Sequence, residues 1–329
     1  MVMKFWSGLV GAFIVMAAGL VTLAPAAETE VVSESVGPGE APVIDGRLDA
    51  VWKRAPASSF TLSEGSQGSV EVTLRSVHTE THLYLLFQWP DKTESLNRFY
   101  EFTAGGWKPT RGREDRLNIA WEIGSVKDFA AKGCSVLCHK TEGVMRTNAP
   151  DEKVDLWYWM AQRTNAVGVA DDWMMGHEPV LVDGEKTGRR PDAPTGGPFE
   201  SNWNEAAKRP QFTGKAARKP GPVLLKREAT VVSESMRFKP GDRLPREVLG
   251  PASGPRAGIE AKGVWERGWW TVELKRTLVT GDDHDVQLTG AGPFNFAVSI
   301  HDDAHKDEHA QMGRDVLQLR LKLAAPEPR

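Results

Sequence analysis

Polar and apolar residues alternate with a period of two along much of this 329-residue chain. Such alternation is typical of β-strands that turn one side to a core and the other to solvent. A short polar stretch, 78–81, joins two alternating segments and predicts a hairpin. The pattern recurs near the C-terminus in 294–300 and 316–323, so we expect an all-β fold, an antiparallel β-sandwich. The predicted core positions are Val70, Val72, Leu74, Leu83, Leu85, Phe87, Trp89, Leu117, Ile119, Trp121, Ile123, Trp270, Val272 and Leu274.

The N-terminus has the pattern of a secretory signal peptide over residues 1–26. Lys4 precedes an apolar run, 9–23, and an Ala-Pro-Ala cleavage pattern follows it. An uncleaved membrane anchor is the alternative, although the run is short for a span of about 20 residues. We therefore expect a periplasmic protein with an N-terminal segment, 27–39, and one sandwich domain, 40–325.

Helical signals are few. One short helix is predicted from an N-cap at Ser125 to Gly133, and a second from an N-cap at Asp155. The stretch 176–222 is rich in proline, glycine and charged residues, which indicates a long loop excursion from the sandwich.

Composition excludes several classes of function. The net charge of −3 gives no reason to expect binding to nucleic acid or to an anionic membrane surface. Beyond the leader, no segment is apolar enough to span a bilayer. The sequence contains neither G-x-S-x-G nor H-E-x-x-H, so no hydrolase motif indicates an enzyme.

The two cysteines of the chain, Cys134 and Cys138, are followed at once by His139. The usual covalent-haem motif is C-x-x-C-H, and this one is longer by one residue. Cysteines four residues apart still share one face of a helical turn, so they could bond both vinyl groups of one porphyrin, with His139 beneath the iron. The alternative is a small disulfide ring in an oxidising compartment, and a zinc site is weaker because a second cysteine pair is missing.

Five stretches around and beyond the site carry a resemblance to a known family. They are "VIDGRLDAVWKRA" at 43–55, "CSVLCHKTEGVMRTNAPDEKVDLWYWMAQRTN" at 134–165, "MRFKPGDRLP" at 236–245, "AKGVWERGWWTVELKRTLVTGDDHDVQL" at 261–288 and "NFAVSIHDDAHKDEH" at 295–309. Together they resemble the haem-binding domain of the ethylbenzene dehydrogenase γ-subunit family, from about residue 40 to 323.

The resemblance implies a β-sandwich, like that of carbohydrate-binding modules and immunoglobulin domains, that holds one haem. Some family members are electron-carrying subunits of periplasmic molybdenum enzymes with a non-covalent b-type haem. This chain departs from them by its cysteine pair, which favours haem c, attached through Cys134 and Cys138 with His139 as proximal ligand. The departure also puts a direct role as a molybdoenzyme γ subunit in doubt.

The distal ligand remains open between His301 and Met145. In b-type relatives a lysine from the C-terminal half binds the iron, and the matching stretch here begins with His301 directly after a predicted strand. Met145 follows His139 by six residues, which span about 20 Å when extended. We rank His301 first. Weaker candidates are His305, His309, Met175 and Met312; the histidines could instead be solvated or bind a divalent metal with Asp302 and Asp303.

Trp157 and Trp159 follow the motif and are candidates for packing against the haem. The alternative is that they belong to the core of the sandwich. The predicted function is an exported mono-haem c-type electron-transfer protein or redox subunit, with a redox protein as partner. Two alternatives stay open. One is a carbohydrate-binding sandwich without haem, and the other is a haem-based ligand sensor.

Overall fold

The computed structural model describes residues 28–139, 143–182, 184–214, 221–305 and 308–322, without the side chains of Glu28 and His139. Thirteen strands within these ranges form one sheet. They are β1 (Glu28–Ser35), β2 (Ser58–Gly65), β3 (Gly68–His78), β4 (His82–Pro90), β5 (Arg116–Ile123), β6 (Lys153–Met160), β7 (Val169–Val182), β8 (Glu185–Pro191), β9 (Ile259–Glu266), β10 (Trp269–Thr277), β11 (Phe294–His301), β12 (Ala310–Gln311) and β13 (Val316–Leu321). The predicted signal peptide lies outside the described residues.

Ten of these strands close into a ring. The order around it is β1, β13, β11, β5, β6, β7, β9, β10, β4 and β3, and β3 pairs with β1 again. Strand β1 runs parallel to both of its neighbours, so the sheet is mixed, whereas the other neighbours in the ring are antiparallel. Three of the thirteen strands lie outside the ring. Strand β8 pairs with β7, β2 pairs with β3, and β12 pairs with both β2 and β11.

The ring is flattened into a sandwich around one apolar core. Every predicted core position is buried there except Ile123, which is partly buried against it. Trp159 of β6 meets the ring of Trp270 of β10 at 5.0 Å and that of Trp89 of β4 at 6.2 Å, which brings the two layers into direct contact. Because alternate residues point to the same side of a strand, the period-two pattern predicted this interior correctly.

Strand β1 corrects the predicted domain boundary. We expected 27–39 as a segment separate from the sandwich, but Glu28–Ser35 pairs with β13 over six residues and then with β3. Val31 of this strand is buried in the interior core. The sandwich therefore begins at β1, because this strand completes the ring.

The predicted helix from Asp155 is wrong, because Lys153–Met160 is strand β6, paired on both edges. Its residues are apolar on both sides, and such a run cannot be distinguished from a buried helix by periodicity. The first predicted helix exists as one turn, Phe129–Lys132, with Asp128 rather than Ser125 at its N-cap and Gly133 at its C-cap.

The stretch 176–222 is not a plain loop. It contains the end of β7, all of β8 and short strands whose partners come from 203–249. Outside the main sheet the short strand pairs are Leu96–Asn97 with Arg113–Glu114, Cys138–His139 with Val144–Met145, Phe199–Ser201 with Glu247–Leu249, Trp203–Asn204 with Arg209–Pro210, and Phe212–Thr213 with Thr230–Val231. A three-stranded sheet joins Phe99–Thr103, Gly106–Pro109 and Arg243–Pro245.

The remaining regular elements are single 3-10 turns at Pro38–Glu40, Ala50–Lys53, Gly133–Leu137, Asn165–Val167, Lys226–Glu228 and Gly254–Ala257. Within the described ranges, no helix has the length and apolar character needed to cross a membrane.

Candidate functional site

The cysteines lie on an excursion of the chain between β5 and β6. The helical turn Phe129–Lys132 ends at Gly133, whose φ of +55° suits glycine. A Cβ at this position would lie 2.3 Å from the carbonyl oxygen of Asp315, so glycine is also required for the close approach to the 312–315 turn. A 3-10 turn, Gly133–Leu137, carries Cys134 and leads into a two-residue strand that begins with Cys138.

The excursion packs against the outer side of the sandwich. The outer cluster, as we name it, is a second buried apolar group, separate from the interior core. Leu156 of β6 and Ala297 of β11 contribute to it, whereas the residues next to them on the strands face the interior. The cluster consists of Val126, Phe129, Leu137, Val154, Leu156, Met175, Ala297 and Val316, with Ala120, Cys134, Val136, Met145, Tyr158 and Trp173 packed against it.

Both cysteines are partly buried, and neither takes part in a disulfide. The Sγ of Cys134 lies 3.9 Å from the carbonyl oxygen of Gly313, and the backbone N–H of Ser135 donates to the same oxygen at 3.2 Å. Burial, and then the thiol of Cys138, raise the pKa of Cys134 to about 12. Cys134 is therefore a protonated thiol at neutral pH, close to the second cysteine.

Glu152 ties the two ends of the excursion together, a role that sequence reasoning missed. Its Oε1 accepts from the backbone N–H of Lys127 at 2.8 Å. Its Oε2 accepts from the backbone N–H groups of Asn148 and Ala149 at 2.8 and 3.0 Å. Nothing in the local pattern marks Glu152, because one of its partners lies 25 residues away.

Met145 lies directly opposite Cys138 in a two-residue antiparallel pairing. His139 lies opposite Val144 in the same hairpin pairing, so Met145 is placed beside Cys138 and not at the end of an extended segment. Met175, a weaker candidate by sequence, is buried in the outer cluster, whereas Met312 belongs to the interior core. The backbone of His139 is in the hairpin, but its side chain is outside the described residues, so its ligand role stays a prediction.

His301, at the end of β11, is on the outer side of the sheet, since Val298 and Ile300 face the interior. It is buried, and the amide Nδ2 of Asn118 lies 3.2 Å from its Nδ1. His301 is four residues beyond Ala297 of the outer cluster, a distance of about 13 Å along a strand. The ring of His309 lies 5.0 Å from that of His301.

The predicted alternative, a metal held by these histidines with Asp302 and Asp303, does not match the grouping of the side chains. The carboxylate of Asp302 lies within 4.8 Å of those of Asp91 and Asp115 instead. The backbone N–H of His305 donates to Oε2 of Glu308 at 2.9 Å.

An arginine cluster lies at the His301 end of this outer side. Arg116 is the cross-strand neighbour of His301, and its Nε is 3.3 Å from Oε2 of the fully buried Glu114. Arg163 binds the same carboxylate at 2.8 Å, and Arg98 is 3.9 Å away. Burial alone would raise the pKa of Glu114, but the three guanidinium groups lower it to about 2. Positive charge is therefore in excess here; the run "RGREDR" at 111–116 was its only sequence signal.

Trp157 and Trp159 do not lie beside the cysteines. Both are buried in the interior core, on the opposite side of β6 from Leu156 and Tyr158. Their predicted packing against a haem at Cys134 does not fit this position, because alternate residues of one strand point to opposite sides. Tyr158 and Trp173, whose rings meet edge-on at 5.6 Å, are aromatic residues of the sheet that lie on the correct side.

The sequence pattern of the ethylbenzene dehydrogenase family matches residues 49–312 of this chain. The chain is therefore a β-sandwich member of the ethylbenzene dehydrogenase family. This family belongs to a multi-subunit enzyme. No curated protein sequence matches the chain.

Several solved structures are similar in outline. A family 9 carbohydrate-binding module from Caldicellulosiruptor kristjanssonii, in complex with glucose, is 9% identical, with a TM-score of 0.37 over 91% of this chain and 100% of that chain. The same module with cellotriose gives 10% identity and a TM-score of 0.37 over the same shares. A Bacteroides uniformis protein described as carbohydrate-binding is 7% identical, with a TM-score of 0.37 over 90% and 100% of the two chains.

Proposed function

We propose that this chain is an exported mono-haem c-type electron-transfer protein. The observation that carries the proposal is the placement of Cys134 and Cys138. The two cysteines of the chain lie close together on an excursion over the outer cluster, and His139 follows directly. Membership of the ethylbenzene dehydrogenase family supports a redox role beside a partner protein.

The donor set of the site suits a covalent haem. Cys134 and Cys138 would form the two thioethers and His139 would bind the iron from the same loop, while Tyr158 and Trp173 offer aromatic surface on the correct side of β6. The bound haem would supply reversible one-electron chemistry. The arginines around Glu114 offer positive charge to the carboxylates of a porphyrin, at the end of the outer side where His301 lies.

We propose His301 as the distal ligand. The hairpin holds Met145 opposite Cys138, on the segment that would attach the haem, so it would have to open for Met145 to reach the other side of the ring. His301 comes from the sheet instead and is positioned by its hydrogen bond with Asn118. Ligation by two histidines usually gives a lower reduction potential than ligation by histidine and methionine.

Haem staining after denaturing electrophoresis tests the proposal. The full chain, with its leader, is produced in a host that carries the periplasmic c-type maturation machinery. We expect staining that survives denaturation, that is lost in Cys138→Ala and reduced or lost in Cys134→Ala, and that persists in the matched control Ser135→Ala. A folded wild-type protein without stain would contradict the proposal and would favour a carbohydrate-binding sandwich.

Absorption spectra of the oxidised protein test the distal ligand. We expect low-spin spectra without the far-red charge-transfer band of methionine-ligated haem, and we expect His301→Ala to become high-spin while Met145→Leu stays unchanged. His284→Gln, in the 278–293 loop, is the control. A high-spin wild-type spectrum with rapid binding of carbon monoxide would contradict His301 and would favour a ligand sensor.

A further inference from the structure

Three buried carboxylates meet on the interior side of the sheet, on the opposite side of β6 from the outer cluster. Asp155 belongs to β6, Asp172 to β7 and Asp285 to the loop between β10 and β11. Their relative exposures are 0%, 1% and 6%, and one oxygen from each lies within 4.8 Å of the other two. The proposed haem site lies on the outer side of the sheet and does not use this acidic group.

An arginine contacts the group. The guanidinium of Arg276 lies 3.1 Å from Asp155 and 2.7 Å from Asp285, and it covers the ring of Trp157 at 5.2 Å. Asp192, directly after β8, adds a fourth carboxylate whose pKa is raised by burial and then by Asp285 and Asp155. With all four carboxylates ionised, Arg276 would offset one of four negative charges, in a region with little water to screen the rest.

Several oxygens of the group have no hydrogen-bond donor among the described residues. These buried atoms are Oδ1 of Asp155, Asp172 and Asp285, and both carboxylate oxygens of Asp192. A buried polar atom without a partner costs about 1–3 kcal/mol, and more when it is charged. Five such atoms in one place indicate that the group binds a positively charged ligand that carboxylate oxygens can coordinate.

We propose that Asp155, Asp172 and Asp285, with Asp192 beside them, bind one divalent cation of the calcium class. Calcium takes six to eight oxygen ligands in a flexible shell, which suits carboxylates that come from four separate chain segments. Magnesium prefers to keep several of its waters, so a buried all-carboxylate group suits it less. The bound ion would join β6, β7, the end of β8 and the 278–293 loop, which makes its role structural.

Burial and the repulsion between the carboxylates both raise the pKa values of this group. It raises the pKa of Asp172 well above the ordinary range, and Asp155 and the other carboxylates raise it further. A cation in the group would relieve this repulsion and return the carboxylates to their ionised form.

Terbium luminescence tests the proposal, because Trp157 lies next to Arg276 and can transfer excitation to a lanthanide in a calcium site. The full chain is freed of metal with a chelator and titrated with terbium, and calcium is then added in competition. We expect saturable emission with one ion per chain, displacement by calcium, and an increase in Tm when calcium is restored. Asp172→Asn should weaken binding at least about tenfold.

Two matched Asp→Asn variants locate the site. Asp283→Asn alters an exposed carboxylate of the same loop, and Asp91→Asn alters the other buried acidic group; both should bind as the wild type does. Loss of binding in either of them, with normal binding in Asp172→Asn, would overturn the proposal. So would wild-type protein that takes up no terbium and retains no calcium by elemental analysis after gel filtration, a result that does not depend on whether a variant folds.

Discussion

The two sides of strand β6 differ in what they carry. Trp157 and Trp159 face the interior, where packing fills a closed ring of strands, and Leu156 and Tyr158 face the outer cluster, which a separate excursion covers. The interior is built mainly from residues of the sheet, whereas the outer cluster also depends on the cysteine segment that lies over it. One strand thus supports a stable core on one side and a candidate cofactor site on the other, and changes on its two sides should have separable effects.

The largest expected effect is on the interior side. Trp159→Ala removes a fully buried ring that contacts Trp89 and Trp270 and lies against Gly263, where a Cβ would be 2.3 Å away. We expect the free energy of unfolding, measured with urea, to fall by about 3–5 kcal/mol. Haem staining of the folded fraction should be unchanged. Trp269→Ala, on the exposed side of β10, should cost less than about 1 kcal/mol; equal losses would refute the distinction between interior and surface.

Leu156→Ala is the counterpart on the outer side. Leu156 is buried beneath the excursion, so its truncation should lower the free energy of unfolding by about 2–3 kcal/mol. Because Cys134 packs on the same cluster, we also expect a lower yield of covalent haem per folded chain. If stability falls and the haem yield equals that of the wild type, the outer cluster does not position the thiols.

A smaller effect is expected where the excursion is fastened. Glu152→Gln keeps one acceptor oxygen. It removes the negative charge and the second acceptor oxygen, which together bind backbone N–H groups from both ends of the excursion. We expect a loss of about 1–2 kcal/mol and faster amide hydrogen exchange at Lys127, Asn148 and Ala149. Asp151→Asn serves as the control. Exchange that accelerates equally throughout the sheet would show that Glu152 supports the whole sandwich and not the excursion.

Two consecutive carboxylates before β5, Glu114 and Asp115, differ in the same way in the direction of their pKa shifts. Three arginines lower the pKa of Glu114 to about 2, whereas burial, followed by the charge of Asp91, raises that of Asp115 to about 8. Between about pH 4 and 8 the folded state keeps a proton on Asp115 that the unfolded chain has lost. The free energy of unfolding should therefore fall as pH rises through this range. Glu114 acts oppositely, and its contribution is lost as pH falls from about 4.5 to 2.

Asp91→Asn should reduce the fall in stability between pH 6 and pH 8 by about 1 kcal/mol, because Asp115 loses its charged neighbour. Urea titrations at several pH values measure this change, and Asp283→Asn is the exposed control. A steeper pH dependence in the Asp91 variant would contradict the direction of the shift for Asp115.

The sequence predicted most of the interior, and it did so through the period-two pattern of residues such as Val70, Val72 and Trp121. It failed at β6, where both sides are apolar and the alternation disappears. It predicted Cys134 and Cys138 as candidate site residues from a local motif, since their spacing is a property of the chain alone. It could not identify Glu152, Arg116 or Asp172 as parts of clusters, because their partners meet them only through the fold.

The closed ring has a consequence for how another protein can bind. In an open sheet, an edge strand offers unpaired N–H and C=O groups to which a partner can add a strand of its own. The ten strands of this ring are paired around its whole circumference, so that mode of recognition is not offered by the ring. A partner protein would instead contact side chains on the surface of the ring, so its specificity would depend on the charge and shape of that surface.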